Sequence, residues 1–150
     1  MLYYVLAFVG GLALTLQIGI NAALNAVVGG PVLAAAVSFS VGALGLIAAW
    51  GATVLMGIQP VPLLADVLKN SSLWMWLGGL LGGLYVFIVT FTAPKIGFAS
   101  VLSLVMAGQI ILALTLDHFG ILTSTAHPIS LMRIVGVALL MAGVLLIQNH

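Results

Sequence analysis

Cysteine is absent from this sequence, and charged side chains are nearly so. Only 3% of its 150 residues are charged, and the formal net charge is +1. A soluble domain carries about 25% charged residues, because a surface with very little charge does not stay dissolved in water. Without cysteine the chain has no disulfide, no thiolate metal ligand and no thiol nucleophile. The composition therefore excludes a soluble enzyme and indicates a protein that has lipid as its solvent.

The charged residues are dispersed along the chain without forming a run: Asp66, Lys69, Lys95, Asp117 and Arg133. Nucleic-acid binding requires a basic patch that neutralises phosphates, so we expect no nucleic-acid partner. The histidines, His118, His127 and His150, lie far apart and lack the spacing of metal ligands. We therefore predict no metal site and no cofactor, and we place His127 in a loop and His150 at the terminus.

Long apolar stretches make up most of the chain, of which 64% is hydrophobic. A helix of about 20 apolar residues is long enough to cross a bilayer. Stretches of this length, separated by Gly, Pro, Asn, Ser or charged residues, lie at about residues 2–24, 33–57, 74–93, 97–116 and 130–148. Their apolar character is continuous, without the alternation of membrane β-strands. The sequence predicts an all-α, polytopic membrane protein with one five-helix transmembrane domain over residues 1–150.

The connections between these stretches predict how neighbouring helices turn. Residues 28–31 predict a tight hairpin, with their proline opening the second helix. The longest loop, residues 58–73, is expected to contain a short interfacial helix, and Ser71 or Ser72 is expected to cap the third span. Residues 93–97 predict a sharp turn with almost no loop. The first span lacks a basic region ahead of it and is longer than a signal peptide requires, so we expect it to be retained.

Orientation in the membrane is only weakly specified. Because successive helices alternate in direction, Lys69 and Arg133 belong to loops on the N-terminal side and Lys95 to a loop on the other side. Orientation follows the imbalance of Lys and Arg in short loops, and here the imbalance is a single residue. Two outcomes stay open: insertion in both orientations, or an N-terminus fixed in the cytoplasm by the α-amino group and Lys69.

Amide side chains recur in the first span at Gln17, Asn21 and Asn25. Positions four apart are offset by about 40° around a helix, so the three amides share one face. Polar groups at membrane depth face a helix partner or a cavity, and amides form hydrogen bonds without carrying charge. These residues are candidates for a substrate cavity that binds a polar or zwitterionic molecule. The alternative is that they hydrogen-bond neighbouring helices together.

The fourth span carries a second polar face, on which Gln109 and Asp117 lie two helical turns apart. Gln109 is a further candidate for the cavity. Asp117 is the acid nearest to a span, and His118 and Arg133 are positioned to hold its charge, so these three are candidates for coupling or gating. The alternative is a salt link or helix-end cap at the membrane boundary that joins the fourth and fifth spans.

Glycines in the third span form two overlapping GxxxG pairs that favour close helix packing: Gly78, Gly79, Gly82 and Gly83. In the fourth span, Ser100, Ser103 and Ala107 share a face that is also suited to packing. Such patterns are common in membranes, so they predict either dimerisation or packing within one chain.

Several short motifs, taken in order, resemble those of one family. They are Gln17-Ile-Gly-Ile-Asn21 with Asn25, Ser38-Phe39-Ser40-Val41-Gly42, Leu77-Gly78-Gly79-Leu80-Leu81-Gly82, Ala93-Pro94-Lys95-Ile96-Gly97, Ala107-Gly108-Gln109, Asp117-His118-Phe119-Gly120, Pro128-Ile129-Ser130 and Arg133-Ile134-Val135-Gly136. Over essentially its whole length the chain resembles the YdcZ-type inner-membrane exporter family of the drug/metabolite transporter superfamily. The resemblance implies a multi-pass protein of the bacterial inner (plasma) membrane.

The resemblance also implies a five-helix unit equivalent to one half of a ten-helix transporter, whose halves are inverted repeats around a central cavity. A second half would come from an antiparallel homodimer or from a heterodimer with an oppositely oriented paralogue. Small multidrug transporters of the same superfamily carry a glutamate in their first helix, where this chain has Gln17 and no acid. We therefore do not expect cationic drug antiport by that mechanism.

The leading interpretation is a secondary transporter or exporter of a small polar or amphipathic metabolite that works by alternating access. Gln17, Asn21, Asn25 and Gln109 are expected to wall its cavity. The alternatives are a non-transporting membrane subunit or scaffold, which would dock through its glycines, and a lipid flippase. An enzyme is not expected, because no nucleophile, base and orienting residue gather on one helix face.

Overall fold

The computed structural model of the chain describes residues 1–121 and 128–149, and this part of the chain is helical. Its elements are α1 (Leu2–Val28), α2 (Pro31–Leu55), α3 (Leu64–Asn70), a 3₁₀ turn (Leu73–Trp76), α4 (Leu77–Ile96), α5 (Phe98–Phe119) and α6 (Leu131–Gln148). The prediction of an all-α protein is confirmed. His127 and His150 lie outside the described residues.

Five of the helical segments in the described residues are long and apolar enough to cross a membrane, as predicted. The 3₁₀ turn and α4 together form the third of them, Leu73–Ile96. The boundaries differ from the sequence estimates by as much as four residues at the end of α1, which continues past Asn25 to Val28. A polar side chain on one face leaves the backbone hydrogen bonds of a helix intact, so Asn25 does not end α1.

The hairpin between α1 and α2 forms at the glycines predicted for it. Gly29 adopts a left-handed conformation (φ 79°), and its N–H donates to the carbonyl of Asn25 at 3.0 Å. Gly30 is extended, and Pro31 occupies the first turn of α2. Proline suits this position because the first turn of a helix leaves its N–H groups unpaired in any case.

The long loop contains the predicted short helix, α3, with Asp66 in its first turn and Lys69 in its last turn. The predicted serine cap is wrong in its chemistry. Ser72 occupies the N-cap position of the 3₁₀ turn, but its side chain forms no capping hydrogen bond. Instead its backbone carbonyl accepts from Met75 N, and the hydroxyl of Ser71 accepts from Trp76 Nε1 at 3.2 Å.

The turn between α4 and α5 is as short as predicted, and it forms at glycine. α4 continues through Pro94 to Ile96, and Gly97 alone separates the two helices, with φ 86° and ψ 151°. A proline in the last helical turn removes a single hydrogen bond and does not have to end the helix. Glycine ends it, because side chains exclude other residues from this backbone conformation.

The chain divides into two compact units, Met1–Phe91 and Thr92–His150. In the first unit α1 packs closely on α2, and the buried apolar side chains are Ile18, Ala34, Ala35, Val86 and Val89. In the second unit α5 packs closely on α6, and the buried apolar side chains are Ala93, Val101, Ala107 and Val144. Most large apolar side chains are exposed, as expected for helices that face lipid.

Candidate functional site

The amide stripe, defined as Gln17, Asn21 and Asn25, lies on the inward face of α1. Asn21 is only 2% exposed, whereas Gln17 and Asn25 are half-buried. Ile18, on the adjoining part of the same face, is also buried. The stripe is therefore part of the packed interior of the first unit and does not face lipid.

A cavity of about 220 Å³ lies between α1 and α2, at the start of the amide stripe. Its lining is mostly small or apolar, with two polar side chains: Gln17, Ser38, Phe39, Gly42, Ala43 and Leu46. We call it the amide cavity. Gln17 thus borders an open volume, while the binding of a substrate by Gln17, Asn21 and Asn25 stays a prediction.

Two buried polar atoms of the first unit have no hydrogen-bond partner within the described residues: Nδ2 of Asn21 and Oγ1 of Thr90. Thr90 is fully buried, at 0% exposure. The hydroxyls of Thr15 and Thr115 behave differently, since each donates to the carbonyl four residues earlier, at 3.0 and 2.9 Å. A buried polar group without a partner costs about 1–3 kcal/mol, and such groups are rare enough to require an explanation.

The two unpartnered atoms lie at similar distances from the ends of their helices. Asn21 precedes the end of α1 by seven residues, and Thr90 precedes the end of α4 by six residues. Because alternate spans run in the same direction, both ends open on the same side. At 1.5 Å per residue, each group lies about 10 Å from its helix end.

Thr90 is a residue that the sequence interpretation missed, although the sequence contains a signal for it. It lies four positions before Pro94, which has no N–H to donate to the carbonyl of residue 90. The backbone carbonyl of Thr90 therefore loses its usual helical donor, so the sequence indicates a local concentration of polar groups inside an apolar span. The burial of Thr90 depends on the packing of the helices and was not visible in the sequence.

A second open volume, about 400 Å³, lies between α2 and α4. We call it the apolar groove, since every lining residue is apolar or glycine: Val32, Ala35, Ala36, Phe39, Gly79, Leu80, Gly83, Leu84 and Phe87. Volumes of this size are typical of small-molecule sites. Phe39 lines both the groove and the amide cavity.

The four glycines predicted to mediate packing have different surroundings. A Cβ atom placed on Gly82 would lie 3.1 Å from Cζ of Phe39, so this glycine lets the phenyl ring rest against α4. A Cβ atom on Gly78, Gly79 or Gly83 would meet no atom within 4 Å. Their role in helix packing stays a prediction, while Gly82 has a defined contact within the chain.

The second unit contains an ion pair between the end of α5 and the start of α6. Arg133 Nη1 lies 3.5 Å from Asp117 Oδ2, and the two side chains are 38% and 34% exposed. His118 Nδ1 accepts from the backbone N–H of Ile129 at 3.2 Å, and Ser130 Oγ accepts from the N–H of Arg133. The predicted salt link between these spans is present. Coupling or gating by Asp117, His118 and Arg133 stays a prediction.

Gln109 lies on an exposed face of α5 in the second unit. Ser103 and Ala107 are buried and Ser100 is half-buried, so the face predicted for packing is the buried one. The assignment of Gln109 to a substrate cavity stays a prediction.

These features define a class: a multi-pass membrane protein with five apolar spans and an inward-facing amide stripe in an uncharged helix hairpin. Residues 2–146 match the family described as "Putative inner membrane exporter, YdcZ". The chain belongs to this family, and it is a multi-pass protein of the inner membrane. The comparison with curated proteins found no match, and neither did the comparison with solved structures.

Proposed function

We propose that the protein is a secondary exporter of a small polar or amphipathic metabolite. Membership of an exporter family supports a transport role. The observation that carries the proposal is the inward-facing amide stripe. Asn21 of the stripe is buried, its Nδ2 has no partner among the described residues, and Gln17 borders a cavity. Polar groups buried within a membrane span often line a substrate path, which apolar helix faces do less often.

Transport would proceed by hydrogen bonding without a fixed charge. The segment from residue 1 to residue 65 contains no Asp, Glu, Lys, Arg or His, and the same holds for residues 70–94. The membrane-spanning parts of α1 and α2 therefore hold no acid to exchange a proton for a cation. Amide groups donate and accept hydrogen bonds, so they would replace the water molecules bound to a polar solute as the solute crosses the membrane.

The working unit in this proposal is a pair of five-helix chains in opposite orientations, each supplying one half of an inverted-repeat transporter. The difference of one Lys or Arg between the two sides supports insertion in both orientations. Rocking of the two halves would open the cavity alternately to each side. An oppositely oriented paralogue would serve equally well as the second half.

The test is export by proteoliposomes loaded with a panel of radiolabelled metabolites, with Gln17→Leu and Asn21→Leu compared with the wild type. Losing one hydrogen bond to the substrate should lower the rate about tenfold. Thr15→Val is the matched control, because it also removes a polar group from α1. The hydroxyl of Thr15 already donates to the Gly11 carbonyl, so it is not expected to bind a substrate. A metabolite exported equally by all four proteins would contradict the role of the stripe.

Co-purification tests the alternative of a scaffold. If the protein co-purified with a larger membrane complex and Gly79→Leu abolished that association, a scaffold would be favoured over a transporter.

A further inference from the structure

We propose that the amide cavity and the apolar groove form one binding site with two compartments, joined at Phe39, for an uncharged amphiphile with a hydroxyl or carbonyl head. This inference rests on the proposed function and specifies the chemistry of its substrate. The head would occupy the amide cavity and the apolar body the groove. Phe39 lines both compartments, so a polar compartment lies beside an apolar one with one side chain in common.

The absence of charge around both compartments decides which head group fits. Every residue that lines them is apolar, glycine, serine or glutamine. An ion taken from water into such surroundings would lose its hydration without gaining a counter-charge. A hydroxyl or carbonyl has no such penalty, because Gln17 and Ser38 offer both donors and acceptors. Asn21 lies one turn further along the stripe and does not line either compartment, and its buried Nδ2 has no partner within the described residues.

The Phe39 ring is held at the junction by its contact with Gly82. Its Cζ and Cε1 atoms lie 3.1 and 3.3 Å from where a Cβ of residue 82 would be. Contacts this short require the ring to move if a methyl group is added. Gly82→Ala should therefore shift by a few tenths of an ångström the ring that both compartments share, while Gly78→Ala meets open space and serves as its control.

The experiment uses the lack of cysteine in the chain. Ser38→Cys places one thiol in the amide cavity, and Ser40→Cys places the same thiol on α2 outside both compartments. Each protein, in nanodiscs, is labelled with methyl methanethiosulfonate in the presence of 1-octanol, octanoate or octyltrimethylammonium. The three probes share one tail and differ in the charge of the head, so the comparison isolates the head group.

We expect 1-octanol at about ten times its dissociation constant to slow labelling of Ser38→Cys about tenfold, because only the free protein reacts. Ser40→Cys should label at the same rate with and without each probe. Protection of Ser38→Cys should weaken in the Gly82→Ala background and persist in the Gly78→Ala background.

Three results would overturn the proposal. Equal slowing at both cysteines would mean that octanol acts through the bilayer, and protection by either charged probe would remove the requirement for a neutral head. A disulfide between two copies through Ala36→Cys, which lines the groove, would mean that a second chain fills it. Cysteine labelling reports binding and does not require transport, so these results can be distinguished from a failure of export.

Discussion

Asn21 is a buried polar residue whose side chain is expected to lower the stability of the folded protein. Its amide is 98% removed from the surface, and Nδ2 has no partner within the described residues. In an apolar interior such a group destabilises the folded state, and a leucine of similar shape would not. Proteins tolerate this kind of destabilisation at sites that act on a ligand.

We predict that Asn21→Leu raises the free energy of unfolding by about 1–3 kcal/mol while export falls. The measurement is reversible unfolding in bicelles, run beside the transport assay. Asn25→Leu is the control, because Asn25 is half-buried and its replacement should change stability less. A loss of stability in Asn21→Leu would mean that the amide has a hydrogen-bond partner in the membrane.

Among the elements, the end of α5 and the start of α6 are joined by short-range polar contacts. Ser130 caps α6, and Arg133 in the first turn of α6 reaches Asp117 near the end of α5. Ion pairs that are this exposed contribute little to stability, since water screens them. We therefore expect the pair to contribute little to the free energy of unfolding.

A double-mutant cycle with Asp117→Asn and Arg133→Gln should show a coupling energy of about 0–1 kcal/mol in the free energy of unfolding. The coupling should decrease further in high salt. Unfolding in detergent at two salt concentrations measures both quantities. A coupling of several kcal/mol would instead place the pair in a dry environment and favour a part in gating.

The glycines at the short breaks between helices should respond to substitution according to their backbone conformation. Gly97→Ala should destabilise the protein by about 1–3 kcal/mol, because its φ and ψ are nearly exclusive to glycine. Gly29→Ala should cost about 1–2 kcal/mol, since it enters the left-handed helical region. Gly30→Ala is the control, as this glycine is extended. Equal effects at Gly29 and Gly30 would contradict the assignment of strain to the backbone.

At the scale of the whole molecule, the distribution of basic residues controls orientation. Ser72→Cys and Asn149→Cys lie at opposite ends of an odd number of spans. If the chain inserts in both orientations, each cysteine should label from both sides of the membrane, and crosslinking should trap antiparallel dimers. Labelling of each site from one side only would contradict the homodimer and direct the search to a paralogue.

Lys95→Gln offers a second test of orientation. It changes the Lys and Arg balance from two against one to two against none, so the chain should insert mainly with its N-terminus in the cytoplasm. Side-specific labelling of Ser72→Cys in this background measures the change. Export by the homodimer should fall in parallel, because fewer oppositely oriented partners remain.

The sequence by itself determined the number of spans, the hairpin at Gly29, the short helix α3 and the family. These follow from local properties: the length of an apolar run, the conformational freedom of glycine, and the order of motifs along the chain. The amide stripe was also readable, because side chains four apart on one helix share a face in any fold.

Only the tertiary structure decided which polar groups are buried and which residue lines both open volumes. Thr90, Thr15 and Thr115 are the same residue type in similar apolar helices, yet only Thr90 is fully buried with its hydroxyl unpartnered within the described residues. The contact of Phe39 with Gly82 joins residues more than forty positions apart. Burial and contact depend on how separate helices pack, and that packing is set by the summed interactions of whole helix faces, which no local pattern contains.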